Sequence, residues 1–117
     1  MTKVLVVEDE ALVLFDIVMI VEQEGFEVHA ACISIEEAQE AMQKGRPDIA
    51  LLDINVRDQV IWPVARQLKA AGTTVIFSSA DASHAELQTE FANCPFVEKP
   101  ASPAAIGAAL KRAAEAA

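Results

Sequence analysis

The chain has 117 residues, 53% of them hydrophobic and 23% charged, the composition of one folded domain with a real core and not of a disordered segment. A net charge of −9 argues against direct binding to nucleic acid or to an anionic membrane surface, since both need clustered Lys and Arg. No leader with an apolar core and cleavage site is recognisable, and the most apolar stretch, Ala11 to Val21, is too short to span a bilayer and contains Asp16. The expected location is the cytoplasm. Cys32 and Cys94 form no CxxC pair and read as small core residues in a reducing compartment. His29 and His84 stand alone and read as structural or surface residues.

The sequence VLVV, residues 4–7, is a continuous apolar run suited to a strand buried on both faces, and it leads directly into Glu8, Asp9 and Glu10. Residues 10–24 have helical character, and Gly25 is placed to stop them. FEVHAA, residues 26–31, alternates as a strand does. Ser34 and Glu37 form a capping box that opens a helix running to about Lys44. DIALLD, residues 48–53, is a third buried strand and again ends in an acid. Residues 54–61 read as a loop, and Trp62 to Ala71 as a helix ended by Gly72. TVIFSS, residues 74–79, is a fourth strand. Ser83 with Glu86 forms a second capping box, opening a weaker helix to about Phe91. PFVEK, residues 95–99, is a short fifth strand. Ser102 caps a last, Ala-rich helix with Pro103 at its first position, where a missing N–H costs nothing.

Strands that alternate with helices imply an α/β domain over residues 1–117, with a parallel sheet covered on both faces and right-handed crossovers. Ligands of such sheets sit outside the carboxyl ends of the strands. Those ends carry Glu8 and Asp9 from strand one, Asp53 and then Asn55 from strand three, Ser79 from strand four and Lys99 from strand five. Carboxylates crowded together repel one another, so a positive charge belongs among them. Mg2+ prefers oxygen ligands, with one or two carboxylates plus water and phosphate oxygens. Asp9 and Asp53 can supply the carboxylates, and the main-chain carbonyl near Asn55 a further oxygen. Asp53 can act as a carboxylate nucleophile toward phosphorus, with Lys99 and the Ser79 hydroxyl stabilising charge on the phosphoryl oxygens. Each residue alone has a plainer reading: a helix N-terminal acid cluster for Glu8 and Asp9, a solvated loop acid for Asp53, a turn hydroxyl for Ser79, a surface charge for Lys99. Their joint placement on strand ends favours the phosphoryl chemistry.

The acidic pair after strand one, LLD ending strand three, SSA after strand four and KP after strand five resemble the response-regulator receiver domain of two-component signalling. The resemblance covers essentially the whole chain. It implies a flavodoxin-like, doubly wound sheet in the order 2-1-3-4-5, and a phosphoryl group passed from a kinase phosphohistidine to Asp53. Glu8 and Asp9 would hold Mg2+, Glu8 through water. Ser79 and Phe96 would form the switch pair, and Lys99 would be the conserved lysine, in a peptide bond to Pro100 that is commonly cis in the family. A histidine kinase or histidine phosphotransfer protein, a downstream protein target and a second copy of the chain are the implied partners. The only enzymatic activity implied is Mg2+-dependent self-phosphorylation and self-dephosphorylation.

The chain departs from the usual pattern in two places. DINVRDQVIWPVA lacks the usual Pro and Gly after the phosphoacceptor and is similar to a subgroup of receivers with Asn two residues on and a PVA segment. Phe96 has no hydroxyl where Tyr is frequent. In the first helix, Val13, Ile17, Ile20 and Val21 make an inward stripe, leaving Leu14, Phe15 and Val18 as a strip that either docks a kinase helical bundle or is covered by a neighbouring helix or a dimer mate. The start at Met1 favours a stand-alone regulator, with a receiver excised from a hybrid kinase or longer regulator as the alternative. An aspartate-nucleophile phosphatase is a rival from another class, although such hydrolases carry their DxD-like pair after the first strand. A flavodoxin-like cofactor binder is disfavoured by the lack of a Gly-rich or Ser/Thr-rich phosphate loop.

Overall fold

A computed structural model describes residues 1–116. In chain order the elements are β1 (Lys3–Val7), α1 (Ala11–Gln23), β2 (Glu27–Cys32), α2 (Ile35–Gln43), β3 (Ile49–Asp53), β4 (Asn55–Val56), β5 (Gln59–Val60), α3 (Trp62–Ala70), β6 (Thr74–Ser79), α4 (Ala85–Gln88), β7 (Phe96–Glu98) and α5 (Pro103–Ala116). Five of the strands form a parallel sheet in the order β2-β1-β3-β6-β7, which is the expected 2-1-3-4-5 arrangement with the small β4–β5 pair set apart.

The central strands are apolar between their ends because both of their faces are covered. Val4 and Val6 pack with Ile17, Val21, Ile106 and Leu110 on the side of α1 and α5. Leu5 and Val7 pack with Ala38, Val64 and Leu68 on the side of α2 and α3. Each large side chain so buried contributes about 1.5–3 kcal/mol. The register places Val7 opposite Leu52 and Asp53 opposite Ser78, so β1, β3 and β6 run out at one level. That common edge is where the polar residues of the sequence gather.

Local punctuation follows the sequence closely at several helix ends. Gly25, at φ +86°, closes α1: its N–H donates to the Glu22 carbonyl and the Phe26 N–H to the Val21 carbonyl. Gly72 closes α3 through equivalent bonds to Lys69 and Leu68. The Ser34 hydroxyl accepts from the Glu37 N–H at 3.1 Å, while the Glu37 carboxylate reaches back one residue further than the capping box requires, to the Ile33 N–H at 3.0 Å. The Ser102 hydroxyl accepts from the Ala105 N–H at 3.1 Å.

Three expectations need correction. Residues 54–61 are not an open loop: β4 and β5 form an antiparallel pair, with Arg57 at φ 48° and Asp58 at φ 65° in the turn. Positive φ at both central residues makes the type I′ turn that suits a two-residue hairpin. An L-residue with a side chain pays about 1–2 kcal/mol there, and for that reason Asn-Gly is the usual occupant.

The second correction concerns Ser83, which does not cap a helix. Its N–H and hydroxyl both donate to Asp81 Oδ1, at 2.9 and 2.6 Å, so a local turn takes the groups that a cap would use. α4 consequently starts at Ala85 and lasts four residues. Phe91 then leaves the helical path: it stacks on Trp62 with centroids 5.6 Å apart, meets Phe77 at 5.0 Å, and its N–H donates to the Glu86 carbonyl. Arg66 grips the neighbouring Glu90 through two bonds of 2.6 and 3.0 Å.

The third correction is the rotation of α1. Leu14 is buried together with Ile17, Ile20 and Val21, and Val13 and Val18 are both half-buried against the same core. The exposed apolar side chains of the helix are Leu12, Phe15 and Met19, at 83%, 63% and 43% exposure. Their i, i+3, i+7 spacing makes one continuous stripe. Of the expected docking strip, Phe15 alone stands fully in solvent.

Candidate functional site

Glu8 leaves the end of β1 while its backbone still continues the sheet, its N–H donating to the Cys32 carbonyl at 2.9 Å. The side chain turns inward and is 1% exposed. A buried carboxylate of this kind needs partners, and Glu8 has two. Oε1 lies 2.6 Å from Lys99 Nζ, and Oε2 accepts the Glu10 N–H at 3.1 Å. Lys99 comes from the end of β7, where its N–H donates to the Ser79 carbonyl at 2.9 Å and its peptide bond to Pro100 is cis. The same ammonium lies 3.2 Å from Asp53 Oδ2, so one cation serves the carboxylates of two strands.

Asp53 closes β3 and is 9% exposed. Burial, reinforced by the negative charges of Glu8 and Asp9 and partly opposed by Lys99, pushes its carboxyl up to about 6 from an ordinary 3.8. Lys99 is held above its ordinary range: burial works against its charge, but the hydrogen bond to Glu8 and the two nearby carboxylates outweigh it. Asp9 is half-buried, and its Oδ2 accepts the Arg57 N–H at 3.0 Å.

Oxygen atoms of Glu8, Asp9 and Asp53 lie within 4.8 Å of one another. Three carboxylates facing one ammonium leave excess negative charge, and the donors are all oxygen. That set fits a hard divalent cation such as Mg2+. Asn55 can complete it. The Ile61 N–H donates to the Ile54 carbonyl at 2.9 Å, so the next pair, Asn55 with Val60, is a non-hydrogen-bonded one. The Asn55 carbonyl therefore points away from β5 and takes no part in the hairpin ladder.

Ser79 ends β6 and is buried, its hydroxyl accepting the Asp81 N–H at 3.1 Å. Phe96 opens β7 opposite Phe77, half-buried against the core on the α2 and α3 side. A groove of about 730 Å3 runs between α1 and α5, with Lys99, Ser78 and Ala80 at one end and Ile17, Ile20 and Ile106 along it. The fold thus brings Glu8, Asp9, Asp53 and Lys99 together, sets Ser79 on the adjoining strand end, and leaves Phe96 on the outer strand. Leu14 and Val18 belong to the interior side of α1.

Sequence reasoning missed Arg57, whose N–H touches Asp9 and whose Nε donates to the Ile33 carbonyl at 3.1 Å. It also missed the tie between Ser79, Asp81 and Ser83. The turn at Arg57 carried no signal, since neither Gly nor Asn stands there. A weak signal did exist for Asp81, because Asp two residues before Ser is an ordinary side-chain turn former.

Comparison with known proteins places the chain among signalling proteins. The family described as response regulator receiver domain matches residues 4–111. The sensory transduction protein LytT of Bacillus anthracis is 30% identical over 115 residues, covering 96% of this chain and 47% of that protein. The chain therefore spans about half the length of the curated relatives it matches. The response regulator PhyR from Brucella abortus is 31% identical with a TM-score of 0.80, over 96% of this chain and 47% of that one. The REC domain of PhyR from Erythrobacter litoralis is 25% identical with a TM-score of 0.85, over 97% and 90% of the two chains.

Proposed function

The chain belongs to the response regulator receiver family, and from that premise we propose that Asp53 accepts a phosphoryl group from the phosphohistidine of a kinase or phosphotransfer protein. The observation that carries this reading is the meeting of Glu8, Asp9, Asp53 and Lys99 at one sheet edge. An Asp53 carboxylate oxygen attacks phosphorus, the phosphorus–nitrogen bond of the donor breaks, and the imidazole leaves with the electron pair. A divalent cation held by Glu8, Asp9, Asp53 and the Asn55 carbonyl supplies, when bound, positive charge for the phosphoryl oxygens. Lys99, already 3.2 Å from Asp53 Oδ2, follows the new charge with little movement. Water later attacks the phosphorus of the acyl phosphate, the bond from phosphorus to the Asp53 oxygen breaks, and inorganic phosphate leaves the free carboxylate. The catalysis is thus confined to the domain's own phosphorylation and dephosphorylation.

The switch begins at Ser79. To bond a phosphoryl oxygen, its hydroxyl donates its own O–H, and the oxygen that accepts the Asp81 N–H swings toward the site with it. Phe96, half-buried and without a hydroxyl, responds by ring packing alone. The surface of α4, β7 and α5 then changes its preference for a downstream protein or for a second copy of the chain. The donor docks on the α1 stripe centred on Phe15, beside the groove that ends at Lys99. The receiver acts by protein contact in the cytoplasm, as an independent regulator or within a longer one; the size of the native gene product separates these settings.

Incubation with acetyl phosphate and Mg2+, followed by intact mass, tests the reading, with Asp53→Asn as control. A phosphoryl adduct on the wild type alone is expected. An unmodified mass, together with no transfer from any candidate kinase, would overturn it, and turnover of a small phosphate ester without an adduct would favour a hydrolase.

A further inference from the structure

Among the described residues, Arg57 and Asp58 are the non-glycine residues with positive φ. Their turn sits against the candidate metal site, and backbone strain beside a site invites a functional reason. Asn-Gly would make this hairpin turn without strain, but neither residue could reach the carbonyl that Arg57 reaches. The Arg57 Nε donates to the Ile33 carbonyl at 3.1 Å, and the Ile33 N–H in turn donates to Glu37 Oε1 at 3.0 Å within the cap of α2. At its other end the same residue donates its own N–H to Asp9 Oδ2 at 3.0 Å. One residue thereby links the cap of α2 to a carboxylate of the metal site.

We propose that Arg57 is a positioning residue for the divalent cation: its guanidinium moors the β4–β5 turn to the loop after β2, so that its main-chain N–H holds Asp9 by one oxygen and leaves the other free to ligate. The inference rests on the metal-binding reading of Glu8, Asp9 and Asp53. Hydrogen bonds that orient ligating carboxylates commonly matter by one to two orders of magnitude in metal affinity. Charge alone predicts the opposite sign, because removing a cation from beside an acidic cluster should tighten Mg2+ binding.

Titration calorimetry with Mg2+ and no phosphodonor tests this on the wild type, Arg57→Gly and Arg57→Lys, with amide hydrogen exchange of residue 57 in parallel. Gly relieves the turn and loses the mooring; Lys keeps the charge and can reach the Ile33 carbonyl. The expected result is about tenfold weaker binding in Arg57→Gly, loss of protection at its residue 57 amide, and recovery of both in Arg57→Lys. Wild-type affinity in Arg57→Gly, or equal weakening in Arg57→Lys, overturns the positioning role while the metal site stands. A wild type that binds no Mg2+ removes the metal reading and this inference with it.

Discussion

Asp53→Asn should make the metal-free protein more stable, by an amount that grows from the pH at which an unfolded Asp ionises to the pH at which the folded Asp53 does. The folded carboxyl holds its proton to about 6, against 3.8 ordinarily, because burial and the charges of Glu8 and Asp9 disfavour the anion more than Lys99 favours it. The folded state therefore binds this proton more tightly than the unfolded chain. Below 3.8 the group is neutral in both states and contributes nothing; as pH rises from there to about 6 the fold loses stability, and above that the loss is constant. At about 1.4 kcal/mol per tenfold change in proton affinity, the full cost approaches about 3 kcal/mol. For a chain of this size that corresponds to roughly 10 °C in melting temperature. Asn removes the charge and keeps the shape. Urea unfolding of both proteins in chelator, at a series of pH values from about 4 to 8, should show curves that coincide at the acid end and diverge to about 2–3 kcal/mol at the alkaline end. A variant no more stable than the wild type at pH 8, or a difference independent of pH, would refute the assignment of strain to the ionised Asp53.

The charge balance at the site and the exposed face of α1 lead to three further expectations. Mg2+ at about 100 times its dissociation constant should raise stability by about 2.7 kcal/mol in urea unfolding, and Asp9→Asn should abolish most of that gain; an equal gain in the variant would place the ion elsewhere. Lys99→Met should cost about 3–5 kcal/mol without metal, since Glu8 is left buried without its ammonium. Adding Glu8→Gln should recover part of the loss, and a double-mutant cycle showing no coupling would contradict the pairing. Phe15→Lys should slow phosphotransfer from the cognate kinase and leave acetyl phosphate phosphorylation alone; stability should change by less than about 0.5 kcal/mol because Phe15 is 63% exposed. Equal loss with both donors would reject the docking role.

The sheet and its site edge were legible because their signals are local and unambiguous. The run Val4 to Val7 followed by Glu8 and Asp9 reads as a doubly covered strand ending in charged groups, and Gly25, Gly72 and Ser102 each marked a helix end by backbone chemistry. The face of α1 was not legible. From Leu12 to Val21 only Asp16 is polar, so periodicity cannot choose between inward stripes, and the packed helix buries Leu14 more deeply than Val13. The hairpin was hidden because Arg57 and Asp58 occupy a turn that normally advertises itself with Asn or Gly. The length of α4 was set by tertiary competition: Asp81 captures Ser83, and the aromatic contacts of Phe91 draw the chain off the helix.

The central claim is that residue 53 carries the phosphoryl group. Borohydride reduction of the acetyl phosphate-treated protein converts an aspartyl phosphate to homoserine, and peptide sequencing locates it. Homoserine at position 53, absent without Mg2+ and absent in Lys99→Met, is the predicted result. Homoserine at another aspartate, with position 53 unchanged, would contradict the account.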